Sequence, residues 1–373
     1  MSFSAADHGH MQEALRLAER GQCLTSPNPS VGCVLVKGGV VVGSGHSQAA
    51  GGPHAEVMAL RQAGEAARGA TAYVTLEPCS HHGRTPPCAD GLIAAGVARV
   101  VAALRDPNPL VAGQGLARLA AAGVAVQSGL LREQALVHHR GFLSRMVRGR
   151  PWLRLKLAAS LDGRVALESG ESQWITGPAA RADVQRLRAR SCAMLTGVTT
   201  VLADDAQLTV REPHGVLWQG RQPMRVVLDS TLRTPASAKL LHTPGVLIVG
   251  AFDNPNRALL EAAGAEVILL PGADGRVDLA GVLAELGRRG LNEATVEAGG
   301  VLAGALLAAG LIDEIVLYQA PVLIGRGKPL ADFTLASLAD RIAPQLIERR
   351  MVGADQRITL RMTDPASLSG DVA

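Results

Sequence analysis

Short β-branched runs alternate along this chain with stretches whose apolar residues fall at helical spacing, and that alternation constrains the fold more than any other feature. Residues 30–45, SVGCVLVKGGVVVGSG, read as two strands joined at a Lys-Gly-Gly turn, because β-branched segments flank residues able to take positive φ. Residues 54–67 place Val57, Met58, Leu60 and Ala63 on one helical face, with His54 and Glu56 in the first turn. Further strands are expected at 72–76, 97–104 and 124–127, and helices at 11–19, 88–95 and 115–122. Pro86 and Pro87 suit the entry to the helix at 88–95. The pattern implies a three-layer α/β/α domain.

Residues 143–152, LSRMVRGRPW, then gather arginines with Gly149 and Pro151 between two patterned regions, as a linker does. A boundary near Arg148 divides the chain into residues 1–147 and 148–373. The second part restarts with strands at 153–158, 193–196, 224–228, 246–249, 266–269, 294–297 and 314–319, and helices at 178–190, 257–263, 279–288 and 301–309. It reads as a second α/β domain. The closing residues, TDPASLSGDVA, are polar and unpatterned and are expected to fray.

Composition narrows the function. With 47% hydrophobic residues in 373, the chain can bury a core and is not disordered. Its net charge of +4 suits an anionic small molecule, although arginine usage alone explains it equally well. Four Phe, two Tyr and three Trp are poor material for stacking bases, so no nucleic-acid partner is expected. The longest apolar stretches fall short of the roughly 18 residues that cross a bilayer, and the first residues lack a signal-peptide pattern. Five cysteines in a chain of this length do not make a disulfide framework. The expected protein is cytoplasmic, without a membrane partner, and a homo-oligomer.

The strongest chemical signal is His54-Ala55-Glu56 followed by Pro78-Cys79 and then Cys88. One imidazole and two thiolates are donors that Zn²⁺ prefers, and three protein ligands leave a fourth position for a water whose pKa the metal lowers. Glu56 is placed to move protons without ligating. This H-x-E plus P-C…C pattern is that of zinc nucleobase deaminases. Taken singly, Cys79 and Cys88 are also explained as buried cysteines and His54 as a capping residue, and His81 or His82 would close a four-ligand structural site. Cys23, Cys33 and Cys192 lack ligand spacing and read as small core residues.

Pro27-Asn28-Pro29-Ser30-Val31-Gly32, His54-Ala55-Glu56 and TLEPCSHHGRTPPC at 75–88 resemble the bifunctional riboflavin-biosynthesis family. In that family a diaminohydroxyphosphoribosylaminopyrimidine deaminase is fused to a 5-amino-6-(5-phosphoribosylamino)uracil reductase. The long Cys79-to-Cys88 spacing departs from the short C-x-x-C of cytidine and tRNA deaminases. The second part holds neither a G-x-G-x-x-G nor a P-loop. Its KLAASLDGR at 156–164, SQWIT at 172–176, TVLADD at 200–205, LTVR at 208–211 and VEAGG at 296–300 resemble the family's reductase half.

The resemblance implies a cytidine-deaminase-like domain followed by a dihydrofolate-reductase-like α/β domain, with Zn²⁺ and NADPH as cofactors and a phosphoribosylated pyrimidine as substrate. His54, Cys79 and Cys88 would hold the metal, and Asn28 would lie near the pyrimidine ring. Ala158, Trp174, Thr200, Asp204 and Ser230 are expected at the cofactor, as is the run Gly299, Gly300, Val301, Leu302, Ala303, Gly304 and Ala305. Ser172, Arg188, Leu208, Arg211 and Glu297 are expected at the reductase substrate. Glu56 is the candidate catalytic group for deamination, and Lys156 and Asp204 are the candidates for reduction. Plainer readings stay open: Asn28 and Ser230 as turn residues, Trp174 as core and Arg188 as a solvated helix face. Residues 297–300 could be a simple strand-to-helix turn, although glycines there also let backbone N–H groups meet a phosphate. Two other functions also remain open here, a nucleoside or nucleic-acid deaminase with an accessory domain and a binding module with a structural zinc.

Overall fold

The computed structural model describes residues 3–22, 24–80, 86–108, 112–211 and 218–368. Cys23, His81 and His82 lie outside the described residues. The chain forms two compact units, Met1–Gly149 with Pro365–Ala373, and Arg150–Asp364.

The first unit runs α1 (Ala5–Glu19), β1 (Gly32–Lys37), β2 (Val40–His46), α2 (Ala55–Ala63), β3 (Thr71–Val74), α3 (Cys88–Ala94), β4 (Arg99–Ala102), α4 (Gln114–Ala121), β5 (Ala125–Ser128) and α5 (Arg132–Arg148). Ser4 and Asp7 form a reciprocal capping box, so α1 starts a turn and a half before the apolar spacing predicts. The sheet order is β2-β1-β3-β4-β5, with β1 antiparallel to both neighbours and β3, β4 and β5 parallel.

Close helix packing sets the layers. A Cβ at Gly32 would come within 1.9 Å of the Ala14 carbonyl oxygen in α1. One at Gly43 would meet the Ala59 carbonyl oxygen of α2 at 2.2 Å, and one at Gly45 the Ala55 carbonyl oxygen at 2.5 Å. Gly45 pairs with Cys33 and Gly32 with His46, so the pleat turns Gly32 and the pair Gly43 and Gly45 to opposite faces. Helices α1 and α2 therefore cover opposite faces.

Two expectations need correcting. Residues 143–148 are not a linker; they are the last turns of α5, whose basic end complements the helix C-terminus, and the chain passes from the first unit to the second at Gly149–Arg150. Nor does the tail fray from residue 363. Pro365–Leu368 forms a 3-10 turn packed on α5, and Leu368 is 2% exposed, so this segment belongs with the first unit instead of the second.

The second unit runs β6 (Trp152–Ala159), β7 (Arg164–Leu167), α6 (Pro178–Arg190), β8 (Ala193–Gly197), α7 (Val198–Asp204), β9 (Met224–Leu228), β10 (Val246–Gly250), α8 (Asn256–Ala262), β11 (Ala265–Leu269), α9 (Leu279–Arg288), β12 (Glu293–Glu297), α10 (Gly300–Ala308), β13 (Glu314–Gln319), β14 (Gly327–Pro329), β15 (Gln345–Val352) and β16 (Asp355–Arg361). Nine strands make one sheet in the order β11-β10-β9-β8-β12-β6-β13-β16-β15, parallel as far as β13 and antiparallel beyond it. On β6, Leu153, Leu155 and Leu157 face the main core. The alternate face carries charge: Arg154 Nε donates to Glu314 at 2.6 Å and its Nη2 to Glu293 at 2.9 Å. Two residues on, the β6–β12 register sets Lys156 beside Glu297.

Replacing Gly45 by Ala forces α2 off β2 or strains it. An overpacking cost of about 1–3 kcal/mol is expected in the urea unfolding of the first unit, followed by circular dichroism. Trp152, Trp174 and Trp218 all lie in the second unit, so the tryptophan-fluorescence transition should not move. A parent-like dichroism midpoint would mean that α2 tolerates the lift.

Candidate active sites

His54 is the cap residue of α2, one position before the first turn, and its ring makes no capping bond. Its Nδ1 lies instead 3.6 Å from Cys79 Sγ and 3.3 Å from Cys88 Sγ. Cys88 opens α3, and its backbone N–H donates to Cys79 Sγ at 3.3 Å. Zinc bonds of about 2.0 Å to nitrogen and about 2.3 Å to sulfur, at tetrahedral angles, put such donors about 3.6 Å apart. The donor set fits Zn²⁺. No other cluster of three His, Cys, Asp or Glu donors this close occurs among the described residues.

Glu56 sits in the first turn of α2 and is 3% exposed. Burial pushes its carboxyl up to about 7, and the neighbouring Cys79 adds to the shift. Cys79 is held below the ordinary thiol value, chiefly by the Cys88 thiol and then by His54. Asn28 is half-buried in a turn closed by its own N–H on the Thr25 carbonyl at 2.9 Å. Helix α5 clasps this loop: Arg145 Nη2 donates to the Pro27 carbonyl at 2.8 Å, and His138 Nε2 to the Ser30 carbonyl at 2.8 Å. Sequence reasoning took Arg145 for a linker residue and assigned nothing to His138.

In the second unit one cleft of about 1530 Å³ collects most of the expected residues. Lys156 and Asp204 line it, as do Ala158, Trp174, Thr200 and Ser230. So do Ser172, Arg188, Leu208, Arg211 and Glu297. Of the α10 run, Gly299, Gly300, Val301, Leu302 and Ala305 face the cleft. Ala303 and Gly304 do not. Ala303 is buried in the core, and a Cβ at Gly304 would meet the Asp332 carbonyl oxygen at 1.9 Å. A contiguous run on a helix cannot present every residue to one side.

Glu297 ends β12 at the cleft wall. Arg188 grips its carboxylate with Nε at 2.7 Å and Nη2 at 3.0 Å, while Nη1 donates to the Thr209 carbonyl at 2.9 Å. Lys156 Nζ stands 3.7 Å from Glu297. Although burial acts to raise it, these two cations hold the Glu297 carboxyl down to about 2. Arg188 is thus no solvated helix residue, and one N–H on each of its terminal nitrogens stays free of these three bonds. Trp174 is not core: it is 68% exposed, with the Arg181 guanidinium 4.4 Å above its ring. Ser230 Oγ accepts from the Val277 N–H at 3.2 Å, a bond to a distant segment and not a local turn cap. Ser172 Oγ donates to Asp204 at 3.4 Å.

Residues 151–343 match the family described as the RibD C-terminal domain, and residues 4–104 the cytidine and deoxycytidylate deaminase zinc-binding region. The chain is 52% identical over 359 residues to riboflavin biosynthesis protein RibD of Escherichia coli K12, covering 94% of this chain and 97% of that one. The chain belongs to the RibD family. RibD of Haemophilus influenzae is 49% identical over 372 residues, covering 96% of this chain and 98% of that one. Among solved structures, Acinetobacter baumannii RibD superposes with a TM-score of 0.88 at 45% identity, covering 95% of this chain and 98% of that one. The Thermotoga maritima diaminohydroxyphosphoribosylaminopyrimidine deaminase/5-amino-6-(5-phosphoribosylamino)uracil reductase does so with 0.84 at 30%, again over 95% and 98%. The first unit is accordingly cytidine-deaminase-like, and the second has the RibD reductase fold.

Arg188→Gln would leave the buried Glu297 carboxylate with Lys156 alone. Breaking such a pair should destabilise the second unit by about 3 kcal/mol, read as an earlier tryptophan-fluorescence transition in urea. An unchanged midpoint would show that the Glu297 pocket admits water freely.

Proposed function

We infer that this RibD-family chain is a bifunctional enzyme of riboflavin biosynthesis that uses Zn²⁺ and NADPH. It deaminates 2,5-diamino-6-(5-phosphoribosylamino)pyrimidin-4-one and then reduces the ribosyl chain of 5-amino-6-(5-phosphoribosylamino)uracil to ribityl. The observation that carries the first step is the buried Glu56 beside the His54, Cys79 and Cys88 donors. Family membership sets aside both the binding module and the nucleic-acid deaminase.

For deamination, His54, Cys79 and Cys88 would hold the zinc, which when bound supplies Lewis-acid activation of water near neutral pH. The Glu56 carboxylate takes the water's proton and returns it to the amino nitrogen that leaves as ammonia. Asn28, fixed by α5, orients the pyrimidine ring.

For reduction, NADPH when bound would supply a hydride for the sugar C1′. Backbone N–H groups at the start of α10 lie open at Gly299, where a Cβ would touch nothing, so a cofactor phosphate can approach them. Lys156 gives a proton to the nitrogen of the opened sugar imine, and Asp204 with Ser172 orients the chain. Arg211 has no guanidinium hydrogen bond to a described residue, and with the spare N–H groups of Arg188 it meets the 5-phosphate.

We assign deamination to the first unit and reduction to the second. A homo-oligomer is supported by β15, an unpaired sheet edge exposing Leu346, Ile347 and Met351. A cytoplasmic location is supported by the free thiols of Cys33, Cys79, Cys88 and Cys192. No helix among the described residues is long and apolar enough to cross a membrane.

A coupled assay tests the whole reading: the pyrimidine substrate should yield ammonia and then consume NADPH. Glu56→Gln should cut ammonia release by about 100-fold or more with zinc content unchanged, while NADPH oxidation on the deaminated intermediate continues. Near-normal ammonia release would remove Glu56 from the proton path. Arg211→Lys should raise the reductase KM about tenfold, for a lost contact of about 1.4 kcal/mol, without changing the Kd for NADPH. Equal use of a dephosphorylated substrate by the parent would rule the phosphate contact out.

A further inference from the structure

Glu77 stands two residues before Cys79, and its side chain is used by neither reaction as derived above. It is 4% exposed, yet among the described residues no cation pairs with it; its partners there are backbone groups. One carboxylate oxygen accepts from the N–H of Asp106 at 3.1 Å and of Gly113 at 2.9 Å. The other accepts from Gly115 at 2.9 Å and Leu116 at 3.1 Å. These bonds fill the carboxylate's four lone-pair positions. Gly113 caps α4 and has no side chain to offer, so the orphan N–H groups of the first turn are satisfied from another segment. The same turn presses on the next residue: a Cβ at Gly115 would lie 1.9 Å from the Pro78 carbonyl oxygen. Helix α4 thus grips Glu77 and Pro78 together, and Cys79 is the next residue out.

We propose that Glu77 is a positioning residue for the metal donor Cys79, acting as the N-cap of α4 supplied from a distant segment. By tying the end of the strand segment to the α4 N-terminus, it holds Cys79 Sγ within 3.6 Å of His54 Nδ1. The inference rests on the reading of Cys79 as a zinc ligand.

Glu77→Gln keeps the shape but turns an amide NH₂ toward two backbone N–H groups. Its zinc Kd, measured by chelator competition on the full chain, should weaken about 10- to 100-fold, as loss of a ligand's support does. The thiolate charge-transfer band of the Co²⁺-loaded protein should shift with it. Gly115→Ala, which crowds Pro78 and leaves the carboxylate intact, should also weaken zinc binding. Leu119→Ala removes core packing from the same helix and should lower the melting temperature at unchanged zinc Kd. The parent protein offers a test that needs no variant: chelating its zinc should speed amide exchange at Gly113, Gly115 and Leu116, because coupling between the two sites is reciprocal. A parent-like Kd and Co²⁺ spectrum in Glu77→Gln would overturn the proposal. So would an equal zinc loss in Leu119→Ala, or exchange at those amides indifferent to zinc. Cys79→Ser binding zinc like the parent would instead show the ligand reading itself to be wrong.

Discussion

The first site depends on how near a helix can lie to a strand. Because β2 offers Gly43 and Gly45 where other strands offer side chains, the α2 backbone rests directly on the sheet. That depth sets the height of His54 at the helix start and buries Glu56 two residues later. The cysteines reach the same point from another direction, Cys79 from the segment after β3 and Cys88 from the start of α3. Donors whose nitrogen-to-sulfur distances are 3.3 and 3.6 Å tolerate little drift in any of these supports. This is why the surrounding structure spends a buried carboxylate and several backbone bonds on holding one loop.

The second site is built on register. Strands β12, β6 and β13 run parallel, so residues at one level stand side by side, and the alternate face of β6 carries a row of charge toward the cleft. Arg154 between Glu293 and Glu314 makes one level, and Lys156 beside Glu297 makes the next. Arg188 then reaches from α6 to close the second level and, through Thr209, holds the segment that carries Leu208 and Arg211. A buried ion pair contributes little net stability over an apolar pair of the same volume, but it fixes where each member points. Fixed direction of the side chains at the cleft wall is what such a pair supplies.

Much of this was legible in the residues. Strand positions such as β9 and β13 follow from their β-branched runs, and the helix start at Pro178 from its proline. The donor set and Glu56 were readable because few other roles suit a histidine and two cysteines at those intervals. What was misread has a common cause. The last turns of α5 look like a linker because Arg145 and Arg148 crowd beside Gly149 and Pro151, and the apolar stripe that makes them helical is short. The 365–368 turn looks unpatterned because its packing on α5 leaves no periodic signal in so short a segment. Ala303 and Gly304 were placed at the cleft because a motif is written as a line, whereas a helix turns each residue about 100° from the last.

By itself the sequence determined most of the central strands and helices, though not α5, α7, β7 or β14 to β16, and which chemistry the chain can support, since strand and helix periods and metal-donor types are local properties of residues. Only the tertiary structure decided which residues meet. It turned Arg188 from an exposed helix residue into the partner of Glu297, brought Trp174 out of the core, and made Glu77 the cap of a helix more than thirty residues away. Such pairings join segments far apart in the chain, and no local propensity records them. They exist because a buried carboxylate must find donors somewhere, and the packing of the sheet and its helices decides which donors are within reach.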